Sequence, residues 1–255
     1  MKKYLISIES MDSDRLKRLY SQATFYKYKE DFSQFGIVGK NLTVSEYFEK
    51  GVAGKKKPMT PGELGCTLSH LEALKDFLAS DEKYGIIFED DVIERFDVDF
   101  DKLEQQVATI NLASPLFLSL GGIQMKICRK VKGKNHPDFL LGQSILKVDP
   151  FFYENLAYAY AYIVDREMAK ILIDFHKPPR VYDQWADLIM FSEQPFSIYV
   201  SYIFDHPQIE NEKDKSYLEN ERDVMSITKK KSYPNFSYII KKMKGFFLQT
   251  YKLSI

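Results

Sequence analysis

The sequence predicts an α/β protein whose strand ends open on a shared crevice. Three observations predict it. Short apolar runs that read as strands alternate with longer segments of helical periodicity. One such run, "YGIIFEDDV" at 84–92, ends in three adjacent acids, and the clearest helix in the chain, "TPGELGCTLSHLEALKDFL", lies shortly before it. In open α/β sheets the ligand crevice lies at the carboxyl ends of the strands, which is where these acids fall.

The elements follow in order. "KYLISI" (3–8) reads as the first strand, and "SMDSDRLKRLYSQ" as a helix capped by Asp12 or Ser13. "FSQFGIVGKNL" gives a short strand and a turn around Gly36 and Gly39, and the basic "GKKKP" (54–58) an exposed loop. In the clearest helix Thr60 caps, Pro61 suits the first turn and Glu63 completes a capping box; Leu64, Leu68, Leu71 and Leu78 share a face. "PLFLSLGG" (115–122) is another strand. The Gly-, Lys- and Pro-rich stretch 123–156 predicts a loop region with short strands. "AYAYAYIV" (157–164) predicts a strand packed on both faces, followed by a helix capped by Asp165. "QWADLIMF" predicts a further helix and "FSIYVSYI" (196–203) a late strand. The expected sheet is mixed but mostly parallel. Residues 1–222 are expected to form the catalytic domain and 223–255 a basic, helical, amphipathic extension.

Composition narrows the function. The chain has 255 residues, 45% hydrophobic and 28% charged, as a folded globular protein does. Lys+Arg and Asp+Glu both number 36, so no basic excess points to nucleic acid. Cys66 and Cys128 make no disulfide framework, and a reducing compartment is expected. The apolar stretch after "MKK" is short for a signal peptide, and no apolar run approaches the ~20 residues of a membrane span, so a cytoplasmic location is expected. The charge is unevenly spread. Residues 229–255 hold many lysines and no acid, with Phe236, Ile239, Ile240, Met243, Phe246 and Phe247 at helical spacing. Such a segment suits an anionic membrane surface or packing on the domain.

Glu89, Asp90 and Asp91 raise one another's pKa unless a positive group sits among them. A divalent cation, Mn²⁺ or Mg²⁺, relieves that repulsion and neutralises a substrate diphosphate. The plainer reading is that one acid caps a turn and the rest are solvated.

"PGELGCTLSHLEAL" followed by "YGIIFEDDV" resembles bacterial glycosyltransferase family 25, the lipopolysaccharide and lipooligosaccharide biosynthesis glycosyltransferases. Gly62, Glu63, Gly65, Cys66, Ser69 and His70 match its G-E-[IL]-G-C-x-x-S-H pattern, and Glu89, Asp90 and Asp91 its E-D-D. Arg15 matches an early arginine, Gly39 a turn glycine (with Val38 where the family has an acid), "AYAYIVDREMAKIL" a later segment and Asp183 the acid that follows it. The resemblance covers roughly residues 2–210. It implies a GT-A-like fold, a nucleotide-sugar donor such as UDP-galactose, a divalent metal, inversion at the anomeric carbon and a lipid-linked oligosaccharide acceptor at the inner face of a bacterial inner membrane.

The implied donor-binding set is Arg15, Glu63, His70, Glu89 and Asp90, with Asp91 on the metal and Asp183 as the catalytic base. Several of these residues have a second reading. Glu63 suffices as a capping-box acid, Arg15 as a solvated helix residue, and Asp183 as the cap of the helix that follows it. His70 is expected to be packed and hydrogen-bonded near the donor pocket, and Ser69 to be structural. Cys66 and His70 lack the second pair of ligands that a closed zinc site needs. Trp185 suits core packing or a sugar face, and Asp187 is a second candidate base. A metal-dependent phosphotransferase or hydrolase, and a non-catalytic carbohydrate-binding or membrane scaffold, are the competing functions.

Overall fold

A computed structural model describes residues 1–207, 221 and 236–253, with 236–240 as backbone. The expected domain boundary at 222/223 and residues 229–235 lie outside the described residues. The first half of the chain runs β1 (Lys2–Ile6), α1 (Asp14–Tyr20), α2 (Ala23–Lys27), β2 (Phe32–Phe35), α3 (Val44–Tyr47), α4 (Pro61–Ala79), β3 (Tyr84–Glu89), β4 (Ile93–Glu94) and α5 (Phe100–Thr109). β5 (Leu116–Ser119), β6 (Lys132–Leu140), β7 (Gln143–Val148), β8 (Ala161–Asp165), α6 (Arg166–Phe175), α7 (Trp185–Phe191), β9 (Ser197–Val200), β10 (Phe204–Asp205), α8 (Phe236–Phe247) and β11 (Gln249–Thr250) follow.

The helix starts obey their capping residues. Ser13 caps α1 through Leu16 N, Asp165 caps α6 through Met168 N, and Thr60 and Glu63 form the reciprocal capping box of α4. Glu221 also accepts from Gly62 N at 2.8 Å, satisfying another free amide of that helix start.

Nine strands form one sheet in the order β11-β6-β7-β9-β5-β8-β3-β1-β2. β1 pairs parallel with β2 and β3, and β5 parallel with β9, while every other neighbour is antiparallel. The sheet is therefore mixed and mostly antiparallel, which corrects the expected parallel majority. Two features cause the difference. β8 runs backwards between β3 and β5, and β6–β7 is a hairpin of nine- and six-residue strands where a loop region with short strands was expected. The polar sequence of β6 conceals it, and its register shifts between Asn135 and Phe139, around Pro137.

Alternation along the strands fills two cores, one on each face of the sheet. Tyr4 and Ile6 of β1 join Leu74 and Phe77 of α4 and Met168 and Leu172 of α6. Leu5, between them in sequence, joins Leu16 and Leu19 of α1, Phe25 of α2 and Leu103 of α5. The C-terminal segment returns to the sheet: β11 pairs with β6, and Tyr251 Oη accepts from Tyr202 N and donates to Ser144 O. Among the described residues no helix is long and apolar enough to cross a membrane.

The β6–β7 turn yields the first prediction. Leu141 (φ 47°) and Gly142 (φ 79°) both occupy the left-handed region. A Cβ on Gly142 meets nothing within 4 Å, so Gly142→Ala costs only the conformational strain of about 1–2 kcal/mol. Urea unfolding should show that loss with an unchanged m-value; a neutral result would mean that the turn relaxes freely.

Candidate active site

The acids at the end of β3 meet the start of the chain because β1 and β3 run in parallel. Their register sets Ile6 beside Glu89, so the next residues, Ser7 and Asp90, adjoin, and Ser7 Oγ donates to Asp90 Oδ2 at 2.5 Å. From α1, Arg15 reaches both aspartates. Its Nε lies 2.5 Å from Asp90 Oδ1 and its Nη2 2.9 Å from Asp91 Oδ2. Arg15 is thus a positive partner of the crowded acids. Burial raises the Asp90 carboxyl from the ordinary 3.8 to about 6, even though Arg15 and Ser7 pull it down. Burial pushes Asp91 the same way, but hydrogen bonding and charge from His206, with Arg15, outweigh it and leave its pKa lowered.

His70 holds the third acid. α4 crosses the sheet face so that the buried His70 ring lies with Nε2 3.3 Å from Glu89 Oε1 and Nδ1 2.9 Å from Tyr162 Oη. Tyr162 Oη is 2.6 Å from Tyr182 Oη, and the Tyr182 ring stacks on His70 at 4.1 Å and on His176 at 5.0 Å. Burial lowers the His176 pKa to about 4 and raises both tyrosines, so His176, Tyr162 and Tyr182 are neutral near pH 7. Ser69 accepts from Ile37 N and donates to Gly65 O, the structural role expected of it.

The reversed strand β8 brings the other half of the site. Because it is antiparallel to β3, its entry segment 157–160 lies at the acid end, and Glu89 N donates to Tyr160 O. Tyr158 stands there with φ 74°, in a region bulky side chains rarely occupy. Its amide donates to Asp183 Oδ2 at 3.2 Å, and its ring lies 5.5 Å from that of His206. β9, parallel to β5, delivers His206 to the same end, with Nε2 3.5 Å from Asp91 Oδ2. The structure therefore gathers Arg15, Glu89, Asp90, Asp91 and His206, and links Asp183 to them through Tyr158.

Other expected site residues have definite places. Asp183 does not cap α7: Gln184 occupies that position, with no side-chain cap hydrogen bond. Glu63 is buried at the start of α4 in its capping box. Trp185 is core, 4.6 Å from Phe117, and Asp187 is exposed on α7. Sequence reasoning missed Ser7, Tyr158 and His206. Ser7 lies inside the expected first strand, one residue before its end; no local pattern marks the other two.

Two groupings of side chains offer ligand atoms to a cation. Asp91 Oδ1 is buried and has no hydrogen-bond partner among the described residues, while Oδ2 faces His206. An orphaned carboxylate oxygen beside an imidazole fits Mn²⁺ or a similar ion. Cys66, His70 and Glu89 also offer ligand atoms within 4.8 Å of one another. That trio is one ligand short of a closed zinc site.

The class of protein comes from the family comparison, which makes it a glycosyltransferase. The model of glycosyltransferase family 25 (LPS biosynthesis protein) matches residues 1–190, and the chain belongs to that family. No curated protein matches the chain. His206 lies beyond the matched residues.

Asp90 supplies a pH test. A carboxyl whose pKa is raised on folding favours the folded state most when protonated. Its contribution therefore weakens as pH rises from about 4 and levels off above about 6. Asp90→Asn keeps an acceptor for Ser7 but cannot ionise. Its stability relative to wild type should improve across that window, by on the order of 1–3 kcal/mol, in denaturation at pH 4.5 and 7. A difference independent of pH would remove burial as the governing effect.

Proposed function

We propose that the protein transfers galactose from UDP-galactose, with inversion, to a lipooligosaccharide acceptor, in a GT-A arrangement. The observation that carries this reading is the Tyr158 amide on Asp183, because it holds a carboxylate free of capping duty beside the Arg15–Asp90–Asp91–His206 group. The parallel trio β2-β1-β3 with acids at its carboxyl end, next to an antiparallel β8, supports the fold assignment.

In this reading Asp183 takes the proton from the acceptor hydroxyl as its oxygen attacks the anomeric carbon. The new C–O bond forms on the face opposite the leaving group. The bond from the anomeric carbon to the diphosphate oxygen breaks, and its electron pair leaves with UDP. Asp91 and His206 would hold Mn²⁺ or Mg²⁺, which when bound supplies charge to neutralise the diphosphate. Arg15 and Glu89 border the donor, Asp90 fixes Arg15, and His70 fixes Glu89. Glu63 acts there through the start of α4. The Tyr158 amide orients Asp183, and its half-buried ring helps to keep water from the reacting atoms.

Incubation with a panel of nucleotide sugars and acceptor, with and without Mn²⁺, should release UDP from UDP-galactose only when acceptor is present. Release of phosphate from an ester with no sugar acceptor would establish a phosphotransferase or hydrolase instead. Asp183→Asn should lower kcat about 10²–10⁴-fold with the donor KM kept, because the amide oxygen still accepts from Tyr158. An unchanged kcat would move the base elsewhere. Asp91→Asn should abolish Mn²⁺-dependent turnover while thermal unfolding stays cooperative; turnover at low metal that matches wild type would overturn Asp91 as a ligand.

A further inference from the structure

We propose that a basic, aromatic face built from two 3₁₀ turns, Lys126–Lys130 and Pro150–Asn155, together with α8, docks the protein on an anionic lipid bilayer. The three segments adjoin. The two turns pack on one another, Lys241 pairs with Glu154 and Asn155, and Lys132 donates to Gly245 O at 2.5 Å. α8 turns its Gly245 side inward, where a Cβ would lie 3.2 Å from Phe152. The opposite side is uncovered: Met243 is 67% exposed and Phe246 and Phe247 each 87%. Ile127, on the first turn, is 58% exposed. Apolar groups this open on adjoining segments mark a contact surface.

The charges identify the occupant. Lys126, Arg129 and Lys130 are exposed on the turn, and Lys242 and Lys244 on α8. Glu154 is the single acid in the three segments, and Lys241 already pairs with it. Cations among exposed aromatic and aliphatic groups suit the headgroup layer of an anionic membrane. A two-fold contact with a second copy would bring the same cations face to face. A nucleic acid would meet the cations but leave Met243, Phe246 and Phe247 in water. The face also adjoins the candidate site by connectivity. Gln124, two residues before the first turn, donates to Asp205 Oδ1, beside His206, and the second turn leads into Tyr158. A lipid-linked acceptor at the bilayer would thus be held near the reacting groups.

Vesicle sedimentation of the full chain without substrate tests this independently of donor chemistry. The protein should bind phosphatidylcholine vesicles containing phosphatidylglycerol, not pure phosphatidylcholine, and should release as salt rises. Lys126→Gln and Lys130→Gln should each weaken binding about five-fold. The exposed pair Phe246→Ser/Phe247→Ser should weaken it at least about ten-fold with far-UV circular dichroism unchanged. Failure to bind anionic vesicles at low salt overturns the proposal. So does binding that none of these substitutions changes, a Phe246/Phe247 variant that only splits a dimer in sedimentation velocity, or preference for duplex DNA over vesicles.

Discussion

Arg15 holds together a region that would otherwise push itself apart. Three carboxylates close β3, two of them largely buried, and the low dielectric there magnifies both their repulsion and their attraction to a guanidinium. The planar fork of arginine lets one side chain serve both Asp90 and Asp91, which a lysine ammonium could not match with fixed geometry. That contact depends on α1 starting at Ser13, on the parallel pairing of β1 with β3, and on Ser7 meeting Asp90. The electrostatics of the site are consequently bound up with the assembly of the first ninety or so residues.

The family pattern in α4 acts largely as a positioning device. Glu63 begins the helix, and Gly65 permits an approach so close that a Cβ would lie 2.4 Å from Ile37 O. Ser69 anchors the Ile37 amide one turn later, and His70 then reaches Glu89. Residues that look like a catalytic signature in one dimension set the height and rotation of a helix, so that one imidazole meets one carboxylate. The rings stacked behind it, Tyr182 and then His176, keep that imidazole from turning.

Local signals made much of this legible. Capping residues located the starts of α1, α4 and α6, and apolar runs located β1, β3, β5 and β9. The acids of β3 announced a charged crevice because a buried strand rarely ends in three of them. What stayed hidden was set by tertiary pairing. The direction of β8 depends on which strands it lies between, and "AYAYAYIV" reads identically in either direction. The length and pairing of the β6–β7 hairpin, within a region expected to hold only short strands, escaped because β6 is polar and interrupted by Pro137. His206 joined the site only because β9 runs parallel to β5, and Tyr158 because β8 does not run parallel to β3. Arg15, far from the acids in the sequence, stands among them as a positive partner whether or not a metal joins it.

The return of the C-terminal segment to the sheet bears on how its margin is covered. β6 would otherwise present open backbone donors and acceptors along a sheet margin, a template for joining other chains. β11 occupies part of that margin, the Gln249 side chain accepts from Asn135 N, and Tyr251 fastens the strand to Ser144 and Tyr202. A chain shortened before residue 249 would keep every residue of the candidate active site. It would also bare a sticky edge, so self-association, rather than lost chemistry, would be the first sign of the truncation.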